Sequence, residues 1–167
     1  MLEPKPLPVE AVLSALEKAE HYRLLGEPFA AESICRDVLG VEPANHRALV
    51  TLLLALSDQL GDGPAEKYRQ ASEIIVRLND AYERAYYAGI LCERRAKAVL
   101  RANGPQAGCM AYEWLREAMG HYERAAAAQP HERHGDPILR WNACVRILNQ
   151  RPDLRPAPEE PAQDMLE

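Results

Sequence analysis

The sequence predicts an all-α fold built from antiparallel helix pairs, and three observations carry that prediction. Ala, Leu, Glu and Arg are abundant, Phe occurs once, and alternating runs of Val, Ile and Thr are missing. That composition favours helix by intrinsic propensity. Apolar residues recur every three or four positions between breaks containing Gly and Pro. The third observation is one stretch, residues 16–48, which reads LEKAEHYRLLGEPFAAESICRDVLGVEPANHRA. Two apolar-striped segments are split there by Gly26-Glu27-Pro28 and closed by Pro43-Ala44-Asn45. Small residues, Ala19 and Ala31, stand where two helices would touch.

The elements follow in order. Residues 1–8 are a Pro-rich extended lead-in. A first helix is expected from Val9 to Leu25, with Val9, Val12 or Leu13, Leu16, Ala19 and Tyr22 or Leu24 on its apolar stripe. Gly26 suits a left-handed cap, and Pro28 opens the next helix where its missing N–H costs nothing. The second helix buries Ala30, Ala31, Ile34, Cys35 and Val38 and is expected to end at Gly40. Asn45 is a good N-cap for a third helix, His46 to Leu60. That helix is apolar nearly all round from Leu49 to Leu56, the mark of a central position.

Gly61-Asp62-Gly63-Pro64 reads as a turn. The fourth helix runs to about Leu78 with Tyr68, Ala71, Ile74, Ile75 and Leu78 inward. Asp80 and Glu83 form a capping-box-like start for a long fifth helix ending near Ala102. Its core side is Ala85, Gly89, Cys92, Ala96 and Val99. Asn103-Gly104-Pro105 breaks the pattern. The sixth helix, about 106–128, turns Trp114, Leu115, Ala118, Met119, Tyr122 and Ala125 inward. After a polar loop, 131–135, Asp136 is expected to cap a last helix that Pro137 opens and Asn149 ends. Ile138, Trp141, Val145 and Leu148 share one of its faces. Residues 151–167 are acidic and Pro-rich, and are expected to be disordered or extended.

Length and composition narrow the possibilities. A chain of 167 residues, 47% of them hydrophobic, suits one domain with a real core, placed at residues 9–150. A formal net charge of -5 argues against wholesale nucleic-acid binding. No run approaches the roughly 18 apolar residues of a membrane span, and no signal-peptide pattern appears. Cys35, Cys92, Cys109 and Cys144 are isolated in helical patterns, which suits buried thiols in a reducing, cytoplasmic setting.

Ala19, Tyr22, Gly26, Ala31, Leu39 and Pro43, followed by Asn45 and Ala48, resemble the tetratricopeptide repeat (TPR), a helix pair of about 34 residues with a small–aromatic–Gly–small–Pro signature. Ala118, Tyr122, Ala125 and Pro130 repeat the second half of the pattern. The middle of the chain departs from it: residues 61–67 form an insertion, and residues 97–110 lengthen the third pair. The resemblance covers about Val9 to Asn149. It implies a short right-handed α-solenoid of three degenerate repeats and a capping helix. It also implies that the first helix of each pair lines a concave, protein-binding side.

On that side the fifth helix carries Glu83, Tyr86, Ile90, Arg94, Lys97 and Arg101. Cations interleaved with an aromatic and an aliphatic residue suit an acidic peptide. The third helix would add Arg47, Val50, Leu54 and Asp58, and the last helix Asn142, Arg146 and Asn149. The same cations also suit local pairing with Glu93 on a solvated face. The family's carboxylate clamp is not carried over, because the first helix offers Leu13, Leu16, Glu20 and Arg23 instead.

No catalytic or metal site is assigned, and no cofactor. His131-x-x-His134 with Asp136 lacks an obvious fourth ligand. Cys109 has no base within reach, His121 lying twelve residues on. No Gly-rich phosphate loop, GxSxG or HExxH occurs. Glu32 and Asp37 read as solvent-facing, and Trp114 and Trp141 as core anchors. The expectation is a non-enzymatic adaptor or scaffold with a protein or peptide partner. The alternative is a homo-oligomerising helical protein, favoured if Tyr87 and Leu91 are exposed. The acidic tail could occupy the basic groove, though a solubilising role is the simpler reading.

Overall fold

The computed structural model describes residues 2–61, 64–128 and 135–157. Seven α-helices and no strand occur among them. A short 3-10 turn, Val9–Ala11, leads into α1 (Val12–Leu24). Then come α2 (Pro28–Val41), α3 (His46–Asp58), α4 (Pro64–Arg77), α5 (Ala81–Ala102), α6 (Ala107–Ala127) and α7 (Gly135–Gln150).

Backbone chemistry sets several of these boundaries. Gly26 sits at φ 77°, a left-handed conformation that a Cβ disfavours. Its N–H donates to Arg23 O at 3.1 Å, and the Glu27 N–H to Tyr22 O at 2.9 Å. This pairing satisfies the last carbonyls of α1 and turns the chain into Pro28. Asn45 caps α3 by accepting the Ala48 N–H at 2.9 Å, and Asp80 caps α5 by accepting the Tyr82 N–H at 2.9 Å. Asn103, left-handed at φ 49°, ends α5.

Each helix packs on the next in chain order, and the odd-numbered α1, α3 and α5 also touch in succession. One continuous apolar core runs from Ala19 in α1 through α3, α5 and α6 to Cys144 in α7. A smaller cluster of Val12, Leu16, Val38 and Ala48 closes the N-terminal end under Leu7. The α5 and α6 helices approach closely. A Cβ placed on Gly89 would lie 2.5 Å from Cε1 of the Tyr122 ring, so only glycine permits this spacing.

Several expectations need correction. Gly40 lies inside α2, which continues to Val41; a half-turn more of helix costs only glycine's modest propensity. Val9, Leu13 and Leu24 are exposed, because no helix covers that side of α1. Glu32 is buried rather than solvent-facing. It accepts from Lys67, Arg36 and Gln59, each at 2.7 Å. Asp136 lies within the first turn of α7 rather than ahead of it. Trp114 and Trp141 do flank the core, half-buried. Tyr87 and Leu91 are both buried. Beyond α7, Leu154 is buried, and Asp153 O lies 2.5 Å from where a Cβ on Gly108 would stand. Residues 62–63 of the turn between α3 and α4, Pro130, His131, His134 and residues 158–167 lie outside the described part.

Candidate functional site

Six charged groups on the odd-numbered helices form one band. Arg23 of α1 meets Asp58 of α3 at 2.6 Å, and Arg94 of α5 meets the other oxygen of Asp58 at 2.7 Å. Arg94 also donates to Leu54 O at 3.0 Å and to the Ser57 hydroxyl. On the preceding residue of α5, Glu93 accepts from Lys97 at 2.6 Å and pairs with Arg140 of α7 at 3.5 Å. The Tyr122 hydroxyl donates to its second oxygen at 2.7 Å. Four cations thus share two carboxylates.

The electrostatics follow from burial and pairing. Burial alone would raise the Glu93 carboxyl. The Lys97 and Tyr122 hydrogen bonds and the Lys97 and Arg140 charges outweigh it and hold the group below the usual range. Burial lowers the Arg94 guanidinium, and Asp58 opposes that shift. Beside the band stands Tyr86, half-buried and stacked on Tyr82 at 5.9 Å, near enough to Arg140 to favour its charged form. The Lys97 and Arg140 side chains remain 46% and 41% exposed, so solvent and a ligand can reach the band.

The residues expected in the groove are distributed unevenly over it. Asp58, Arg94 and Lys97 are in the band, and Tyr86 borders it. Leu54 is half-buried and contributes its carbonyl. Ile90 is only 4% exposed and packs in the core, so it lines no groove. Glu83 is likewise buried and reaches back to His46 of α3 at 2.7 Å. Arg47 lies nearer the N-terminal side, bound to both oxygens of Glu20 at 2.6 Å. Arg101 and Arg146 are exposed and Asn142 half-buried, outside the band. Arg140 and Glu93 were not among the expected groove residues. Glu93 had a sequence signal, its spacing of four from Lys97; Arg140 had none, since its partner lies on another helix.

A second cluster sits where α4, α5 and α6 meet. The donor atoms of Cys92, Glu117 and His121 all lie within 4.8 Å of one another. Tyr68 stands beside Cys92, and burial pushes the Cys92 thiol up to about 12. Burial and the neighbouring Arg124 lower His121, favouring the neutral ring. Glu117 and His121, four apart on α6, share a helix face, while Cys92 reaches them only through the α5–α6 packing. No protein-family model, curated protein or solved structure matches the chain.

Proposed function

We propose that the chain is a non-enzymatic interaction module that receives an acidic segment of a partner protein across the odd-numbered helices. One observation carries the reading: four cations share two carboxylates, so the band retains positive charge although the whole chain is negative. A peptide carboxylate could pair with Lys97 or Arg140 without breaking Glu93's bond to Tyr122. Tyr86 offers an aromatic face beside them. Charge-assisted pairs of this kind give orientation and register as well as affinity.

The architecture fits the same reading. Sequential packing, with α1, α3 and α5 in contact, is what a short TPR-like right-handed solenoid would produce, and α7 would then cap its end. The fold analogy sets the expectation of protein binding; the band supplies the chemistry.

Selection from a random peptide display library on the purified chain tests this. Acidic sequences should be enriched. Their affinity should fall with added salt and drop about tenfold or more in Lys97→Gln/Arg140→Gln. Enrichment of uncharged peptides, or equal binding by the double variant, would defeat the proposal.

Self-association is a second reading with its own observation. Leu24, Leu25 and Phe29 are 83%, 62% and 74% exposed around the α1–α2 turn. A second copy could cover them. Light scattering that gives a monomer at high concentration would remove this reading, and a dimer that dissociates in Phe29→Ser would support it.

A further inference from the structure

The Cys92, Glu117 and His121 cluster lies on a different face of α5 from Glu93, about 100° round the helix, and the interaction reading makes no use of it. We propose that Cys92, Glu117 and His121 form a binding site for a thiophilic divalent cation, zinc foremost, with water in the fourth position. The donor set is the first argument. Thiolate, imidazole and carboxylate together suit zinc rather than calcium or magnesium, which prefer all-oxygen shells.

Distance is the second argument. Tetrahedral zinc spaces S, N and O donors about 3.3–3.6 Å apart. The three donor atoms here lie within 4.8 Å of one another, so closing the site takes side-chain adjustments of about an ångström, with no helix movement. The backbone supplies the frame. Glu117 and His121 project one turn apart from α6, and Cys92 comes from the tightly packed α5. Glu117 is exposed and His121 half-buried, which gives solvent an entry path to the 2% exposed Cys92.

The surroundings bear on the same point. Tyr68 of α4 stands close enough to Cys92 for each group to influence the other's ionisation, the position an outer-shell neighbour of a metal thiolate would take. Arg95, one turn further along α5, has Nε and Nη1 buried without a hydrogen-bond partner, and its guanidinium lies 5.8 Å from the Tyr68 ring centre. A buried cation with unfilled donors is costly, and a thiolate at Cys92, three residues earlier on the same helix, adds negative charge nearby.

One group stands in the way. Arg124 Nη2 donates to His121 Nδ1 at 2.8 Å, and His121 Nε2 faces Glu117 at 3.9 Å. Coordination through Nε2 requires the ring proton to move to Nδ1, where an arginine cannot accept it. Arg124 must therefore swing into solvent, which its exposed position allows. The Cys92 proton is released to water, and Glu117 binds through a carboxylate oxygen. Arg124 thus becomes a competitor of the metal.

The test is a Co2+ titration of the full chain after chelator treatment, followed by displacement with Zn2+. One equivalent of Co2+ should give a thiolate-to-cobalt charge-transfer band, and Zn2+ should abolish it. The band should vanish in Cys92→Ala, and affinity should fall about tenfold or more in His121→Ala. Arg124→Gln, whose amide oxygen can accept from Nδ1–H, should bind about tenfold more tightly. Circular dichroism of each variant reports folding, and His121→Ala, at a half-buried site, serves if Cys92→Ala misfolds. No thiolate band, a band that survives in Cys92→Ala, or binding abolished only by His131→Ala/His134→Ala would overturn the proposal.

Discussion

The α1–α2 and α5–α6 hairpins reach the same topology by different means. In the first, the turn is written locally: Gly26 at φ 77°, the paired N–H bonds of Gly26 and Glu27, and Pro28 opening α2. Its helices are short, and several large apolar residues around it stay exposed. In the second, α5 and α6 are long, and the chain changes direction through left-handed Asn103 and Gln106 rather than glycine. What holds that pair is distant in sequence: Gly89 admits the Tyr122 ring, and Tyr122 donates to Glu93. Local turn chemistry gives the first hairpin its geometry. Buried long-range polar pairing gives the second its uniqueness.

The comparison can be broken most forcefully at Glu93. Glu93→Ala removes the acceptor of Lys97, Arg140 and Tyr122 together and should destabilise the chain by about 3–5 kcal/mol, read as a chemical-denaturation midpoint shift. Gly89→Ala should cost about 1–3 kcal/mol by pushing Tyr122 out of place, and together with Tyr122→Phe it should cost less than the sum of the two, because both weaken the same Tyr122–Glu93 bond. At the local hairpin, Gly26→Ala forces an L-residue into the left-handed region and should cost about 1–2 kcal/mol. It should leave the α5–α6 amides as protected from hydrogen exchange as before. Asn45→Ala, which removes one cap, should cost about 1 kcal/mol.

Acid sharpens the contrast further. The Glu93 carboxyl is held below its ordinary value of 4.5, so its contribution is fully present above that pH and is lost as pH falls through the lower folded value. Thermal melts between neutral and acid pH should show this loss in the native chain. In Glu93→Gln the slope of stability against pH should be shallower through the same window.

The degree to which the sequence disclosed each region follows the same division. Gly26, Pro28, Asn45 and Asp80 act within a few residues of where they stand, so their roles and most helix ends were legible. Periodicity also marked α3 as central. It failed at Ile90, Glu32 and Glu93, all buried. Apolar spacing shows which residues share a face but not how many faces a helix covers. α5 packs on α3, α4 and α6 and pairs with α7 through Arg140, so its supposedly open side is partly roofed. Lys97 is 46% exposed, and its pairing with Glu93 was readable from their spacing. The Cys92, Glu117 and His121 convergence was not readable, because the α5–α6 packing that unites them spans 25 residues of sequence.

The short segment after α7 bears on how the chain can be shortened for experiment. Leu154 reaches the core, and Asp153 O rests against Gly108 at the start of α6. Cutting the chain at Gln150 would strip an apolar plug from the floor of the long hairpin. Any change in binding or assembly would then mix loss of the acidic tail with loosening of α6. A cut after Ala157 removes the acidic end and leaves the plug in place. Gly108→Ala does the reverse, keeping every tail charge while prising the strap away. Used as a pair, the two alterations separate what the tail's charge does from what its anchor does.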